Sequence, residues 1–197
     1  MTTIVYLHGF RSSPASIKAA QLREFIAALP DAAKPQLHIP ELTDRPAAAV
    51  AAVAAWVEGH ADAHALTFVG SSLGGYYATH LAERLGARAV MVNPAVRPYD
   101  GLQPWRGTQT NLYSGEAFEV TQAHFDELLA LRVARITQPQ RYFLLVETGD
   151  KVLDYRDAVG FYGGACQYVR GGGDHTFTQF AAQLPAILRF AGIGDAR

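Results

Sequence analysis

Residues 70–74 read Gly70-Ser71-Ser72-Leu73-Gly74 and match the pattern G-x-S-x-G. An apolar run with strand character, Ala65 to Val69, stands directly before them. A helix-forming stretch, Tyr76 to Leu85, follows and runs out near Gly86. The pattern alone is common. Between a strand and a helix it has a physical reason: a sharp turn lifts the serine oxygen clear of a sheet. The flanking glycines let strand and helix backbones approach without a side-chain clash. The helix start adds free N–H groups and the positive end of its dipole beside the hydroxyl. Ser72 is therefore the candidate nucleophile, and Ser71 fills the variable position.

Outward from this turn, short apolar runs alternate with amphipathic segments. Strand candidates are Ile4 to Leu7, Leu37 to Ile39, Ala65 to Val69, Ala89 to Asn93, Tyr142 to Val146 and Gln167 to Val169. Helix candidates are Ile17 to Leu29 after serines that offer caps, Pro46 to about Glu58, Tyr76 to Leu85, Asp154 to Phe161, and Phe177 to Phe190 with Pro185 inside it. Six strands separated by helices imply an α/β fold with a mainly parallel sheet, covered on both faces, over a single domain 1–197. Glycine-rich and polar residues collect just after the strands, at the carboxyl edge where such sheets place their sites. Arg97 to Arg141 breaks the rhythm. It carries no obvious strand, has one helix candidate at Phe125 to Val133, and holds Trp105, Tyr113, Phe118 and Phe125. A connection this long, leaving from that edge, is expected to be a small cap or lid at about 97–141.

An activated serine needs a base. Of seven histidines, His60, His64, His80 and His124 fall in polar or helical settings and are expected on the surface. His38 lies in a short strand with no evident partner. His175 follows the last strand and the run Gly171-Gly172-Gly173, where a loop can deliver an imidazole to Ser72. The acid that orients it is assigned to Asp150, just past Tyr142 to Val146. Asp154 is the rival, with capping of the next helix as its plain role. Asp174 adjoins the histidine too closely to reach its far ring nitrogen. The order Ser72, Asp150, His175 is the order of hydrolases built on this turn. The oxyanion donors are assigned to the N–H of Leu73 and, from the loop His8-Gly9-Phe10, the N–H of Phe10, with His8 shaping that loop.

Composition narrows the classes. The chain has 197 residues, about half of them apolar, and a formal charge of −1 without a basic tract, which argues against nucleic acid as a partner. No run approaches the roughly 20 apolar residues of a membrane span. With one cysteine and no export signal at the start, the protein is expected to be cytoplasmic. Cys166, in a strand-like segment, is expected to be a small buried hydrophobe. Metal-ligand spacing is absent, G-x-G-x-x-G does not follow the first strand, and the triple glycine lacks the lysine of a P-loop. No metal and no cofactor are implied.

Longer stretches carry a resemblance. Tyr6 to Pro14, Gly70 to Ala78, Val92 to Pro98, Thr148 to Asp150 with Val152 to Arg156, and Gly171-Gly172 through His175-Thr176-Phe177 resemble the YqiA-type bacterial esterases, in the same order over nearly the whole chain. The resemblance implies a compact α/β-hydrolase fold. It also implies esterase or thioesterase activity on acyl substrates, with Ser72 as nucleophile, His175 as base and Asp150 as acid. The chain departs from the expected pattern at Asp174, where a neutral residue such as Asn is expected before the histidine. A carboxylic ester of a small molecule is the expected substrate. An acyl-CoA thioester using the same triad is one alternative, with Arg11, Lys18, Arg97 and Arg106 as candidate contacts. A non-catalytic binding protein of the same fold is the other. The aromatics Phe10, Tyr76, Tyr77 and Trp105 are candidates for an acyl site.

Overall fold

In the computed structural model residues 2–194 are described, so Met1 and residues 195–197, the two ends of the expected domain, lie outside the described residues. The chain runs β1 Thr3–Leu7, α1 Ile17–Ala27, β2 Gln36–His38, α2 Pro46–His60, β3 Leu66–Ser71, α3 Leu73–Leu85, β4 Arg88–Val92 and α4 Pro98–Gly101. It continues through β5 Gly107–Thr110, β6 Ala117–Val120, α5 Gln122–Ala130, β7 Tyr142–Glu147, α6 Tyr155–Phe161, β8 Cys166–Arg170 and α7 Phe180–Phe190.

Six strands form one sheet in the order β2-β1-β3-β4-β7-β8, every neighbouring pair parallel. Side chains alternate between its faces, as period-two geometry requires. Ile4, Tyr6, Val69, Val90, Phe143 and Leu145 pack against α1 and α7. Val5, Leu7, Phe68, Met91, Leu144 and Val146 pack with residues of α2, α3, α5 and α6. The central strands β1, β3, β4 and β7 are largely apolar because both faces are covered. Full burial of one such side chain, Phe68 for example, stabilises the fold by about 1.5–3 kcal/mol.

The topology fixes where a site can form. From β1 the chain crosses to β2 on one side, whereas from β3 it crosses to β4 on the other. The carboxyl ends of β1 and β3 therefore lie at a switch point, with no helix crossing between them, and a crevice opens there. The loop after β1 is His8-Gly9-Phe10, and the turn after β3 is Ser72.

Three expectations are corrected. The segment between β4 and β7 does contain strands: β5 and β6 pair as an antiparallel hairpin. β5, Gly-Thr-Gln-Thr, has no large apolar side chain, and β6, Ala-Phe-Glu-Val, turns only Phe118 and Val120 inward, too short an alternation to stand out in the sequence. Cys166 opens β8, yet it is exposed, since β8 is the sheet's edge strand. His124 is buried, not superficial: its Nδ1 accepts the Thr121 backbone N–H at 3.1 Å, closing a capping box at the start of α5. His38, without an evident partner in the sequence, stacks on Trp56 at 3.8 Å between ring centroids. α7 runs through Pro185.

Candidate active site

Helix α3 begins immediately after Ser72, three residues earlier than its apolar pattern suggests. Ser72 adopts φ 55° and ψ −121°, a conformation that L-residues avoid, held at a cost of about 1–3 kcal/mol by its surroundings. Its N–H donates to the Val92 carbonyl at 3.0 Å, and its carbonyl accepts the N–H groups of Gly75 (2.9 Å) and Ala95 (3.0 Å). The glycines explain the tightness of the turn. A Cβ on Gly70 would collide with the Gly74 carbonyl, and one on Gly74 with the carbonyls of Leu7 and His8. Gly74 is what allows α3 to press against the end of β1.

Ser72, His175 and Asp150, far apart in the chain, meet at this edge. The imidazole Nε2 of His175 lies 3.1 Å from Ser72 Oγ, and its Nδ1 lies 2.7 Å from Asp150 Oδ2. The His175 side chain is 26% exposed and that of Asp150 1% exposed, so the acid is sealed and the imidazole is reachable. The other carboxyl oxygen of Asp150 accepts the N–H groups of Val152 (2.8 Å) and Leu153 (2.9 Å). Burial pushes the Asp150 carboxyl up. The hydrogen bonds from His175 and the two N–H groups outweigh it, so the acid stays below its ordinary range. Asp154 is engaged elsewhere: it accepts the Arg156 N–H at 2.9 Å and caps α6. Asp174 turns to Thr176, whose N–H it accepts at 2.8 Å.

The loop after β1 sits against the serine. A Cβ added to Gly9 would stand 3.2 Å from Ser72 Cβ and 3.7 Å from its Oγ. His8 holds this loop. Its Nδ1 pairs with the Gly9 carbonyl at 3.1 Å, and its Nε2 accepts the Leu42 N–H at 3.3 Å. The imidazole is buried, and burial drives its pKa down, with the Gly9 carbonyl pulling partly the other way. Among the described residues, the N–H groups of Phe10 and Leu73 have no protein acceptor.

Two clefts open here and share Gly9, Phe10, Ser12 and Tyr113 in their walls. One, about 380 Å³, holds Ser72 and His175, and its wall mixes the polar Ser16, Lys18, Gln21, Thr176 and Thr178 with the apolar Ile17 and the rings of Tyr6, Phe10 and Phe177. The other, about 660 Å³, holds Leu73, Tyr77 and Phe118 and carries the carboxyls of Glu41, Asp44 and Glu116. Of the four aromatics considered for an acyl site, Phe10 lines both clefts and Tyr77 the larger. Tyr76 lines neither, its hydroxyl donating to the Leu128 carbonyl at 2.6 Å. Trp105 also lines neither and packs edge-on against Phe10, as does Phe118 from the hairpin. Among the described residues, no group of three His, Cys, Asp or Glu side chains could hold a metal ion, and no helix is long and apolar enough to cross a membrane.

Two buried polar residues at the site were not singled out in the sequence. Asn93, just past β4, and Glu147, the last residue of β7, both touch the loop that carries His175. An acid directly closing the apolar run Tyr142 to Val146 was the available sequence signal for Glu147, whose full burial the structure adds.

Comparison with known proteins agrees with this architecture. Residues 3–192 match the model of an uncharacterised protein family, UPF0227, which is the YqiA-type family. Mouse alpha/beta hydrolase domain-containing protein 10 superposes with a TM-score of 0.72 at 16% identity, over 95% of this chain and 88% of that one. Est1E from Butyrivibrio proteoclasticus, solved with ferulic acid bound, gives 0.69 at 12% identity, over 100% and 90%. A monoacylglycerol lipase from Paleococcus ferrophilus gives 0.69 at 14%, over 98% and 95%. At these identities the likeness is one of fold, and the fold is that of the α/β hydrolases.

Proposed function

This chain belongs to the UPF0227 family, and from that membership and the geometry around Ser72 we propose that it is a serine carboxylesterase acting on small-molecule acyl esters. Ser72 Oγ attacks the ester carbonyl while His175 Nε2 takes its proton. Asp150 holds the imidazole with Nδ1 protonated and stabilises the imidazolium that forms. The N–H groups of Phe10 and Leu73 receive the oxyanion. His175 then protonates the departing alcohol, and water releases the acid from the acyl-enzyme.

The observation that carries this reading is the continuous path from Ser72 Oγ through His175 to the sealed Asp150, at 3.1 and 2.7 Å. Oxygen esters fit better than acyl-CoA thioesters. Three of the four basic side chains considered for CoA are engaged: Arg11 with the Thr110 carbonyl at 2.8 Å, Lys18 with the Thr176 carbonyl at 2.7 Å, and Arg97 with Asp157 at 3.4 Å. In the wall of the larger cleft the three carboxyls of Glu41, Asp44 and Glu116 outnumber the one guanidinium, Arg11, a balance that disfavours phosphates. A binding protein without catalysis has no need of a strained serine aligned with a histidine and an acid.

The segment 97–141 is read as a cap. Its hairpin sets Phe118 against Phe10, and Tyr113 from its loop reaches into both clefts. The test is burst kinetics with p-nitrophenyl esters from acetate to palmitate. A burst that disappears in Ser72→Ala is the expected result, and the acyl length turned over fastest reports the depth of the cleft at Ser72. Folded wild-type protein that hydrolyses no oxygen ester but turns over acyl-CoA would replace this reading with the thioesterase.

A further inference from the structure

We propose that Asn93 and Glu147 are positioning residues for His175, gripping its backbone so that the imidazole stays between Ser72 and Asp150. The inference rests on the serine-hydrolase reading and adds two residues to it.

The loop that carries His175 is rich in glycine, Gly171 to Gly173, with Gly172 and Gly173 at φ 75° and 72°. Such a segment has many conformations open to it and needs external restraint to hold a side chain within a few tenths of an ångström. The restraint comes from the ends of the two neighbouring strands. Glu147 is 0% exposed and accepts the Asp174 N–H through Oε2 at 2.9 Å. Its other oxygen accepts Arg170 Nη1 at 2.7 Å and Thr178 Oγ1 at 3.4 Å, so one carboxyl ties the loop before and after the histidine. Asn93, 3% exposed, donates its amide to the carbonyls of Asp174 (2.9 Å) and His175 (3.2 Å). Its Oδ1 accepts the Glu147 N–H at 3.0 Å, so the two grips brace each other. Asp174 is thus held at its N–H by one residue and at its C=O by the other. Gly173 fits this arrangement and nothing larger would, since a Cβ there would strike the Glu147 carboxyl.

The grip acts on backbone next to the base and touches no reacting atom. Its loss should lower the chemical step and leave substrate binding alone. A displacement approaching 1 Å is enough for a loss of about 100-fold. Asn93→Asp keeps the size, the tolerance for φ 40° and the acceptor for Glu147, but turns an oxygen toward two carbonyls. Asn93→Gly removes the amide without backbone strain. Both are assayed on a p-nitrophenyl ester in the full chain, with the active fraction counted by fluorophosphonate titration of Ser72.

The expected result is a fall of about 10- to 100-fold in kcat per titrated serine in both variants, with KM unchanged. Wild-type kcat per titrated serine in either variant, with all lost activity traced to fewer titratable molecules, would overturn the proposal and leave the residues merely structural. If neither Asn93 variant folds, Glu147→Gln decides by the same readout, because it leaves one acceptor where Arg170 and Asp174 need two. A wild-type serine that takes up no probe would refute the serine-hydrolase reading itself, an outcome separate from equal activity in the variants.

Discussion

Replacing Asp150 with asparagine changes one atom and should remove nearly all turnover. Asp150 Oδ1 accepts two backbone N–H groups, from Val152 and Leu153 at 2.8 and 2.9 Å. In Asp150→Asn the side-chain oxygen must stay on that side, because an amide NH₂ cannot accept. The NH₂ is then turned toward His175 Nδ1, the position now held by a carboxyl oxygen at 2.7 Å. A donor there makes Nδ1 an acceptor and moves the ring proton to Nε2. With Nε2 protonated, 3.1 Å from Ser72 Oγ, the imidazole cannot take the serine proton. A wrong-tautomer substitution of this kind costs about 10⁴-fold in kcat, or about 5.5 kcal/mol of barrier. The assay is p-nitrophenyl acetate turnover at neutral pH, with circular dichroism to verify folding. Asp154→Asn is the matched control: it preserves the cap to the Arg156 N–H and should leave turnover unchanged. An Asp150→Asn enzyme within tenfold of wild type, or an equal loss in Asp154→Asn, would refute the tautomer argument.

Other consequences concern the frame around the site. Gly74→Ala would drive a methyl into the Leu7 and His8 carbonyls, which belong to a buried strand and its pinned loop. The loss should be at or above the upper end of the overpacking range, about 3 kcal/mol, read by denaturant melting. His8 is buried with its pKa lowered, so the unfolded chain binds this proton more readily than the folded one. Its contribution favours folding above about pH 6.5 and is lost as pH falls through the depressed folded value. Melting temperature should therefore drop from pH 7 to pH 5, and His8→Gln should flatten that slope; an unaltered slope would assign it elsewhere. The Asp150 carboxyl, depressed in the folded state, adds a second loss of stability as pH falls below about 4, absent in Asp150→Asn.

The sheet was readable because its central strands are buried on both faces. Ile4 to Leu7, Ala65 to Val69 and Tyr142 to Val146 are continuous apolar runs, and a parallel sheet leaves that signature. The turn at Ser72 was readable because its glycines answer local steric demands that only glycine meets. Where the physics is tertiary the sequence is mute. Strand β5 is polar, and β6 alternates only through Phe118 and Val120, too short a run to mark a strand, although Phe118 packs on Phe10. Cys166 is a small apolar residue in a strand, and nothing local says that the strand is an edge. His124 became buried through a cap to Thr121 that takes the place of the usual Glu or Gln. Asn93 and Glu147 work through contacts with residues 81 and 27 positions away, which no spacing rule within one element could reveal.

The most direct test is covalent labelling. Wild-type protein and Ser72→Ala are treated with a fluorophosphonate probe, and the modified residue is located by peptide mass spectrometry. An activated serine, 3.1 Å from His175 Nε2, should carry one probe per molecule at Ser72, and Ser72→Ala should carry none. Folded wild-type protein that stays unlabelled, or labelling at another residue that persists in Ser72→Ala, would contradict the proposal that Ser72 is the nucleophile.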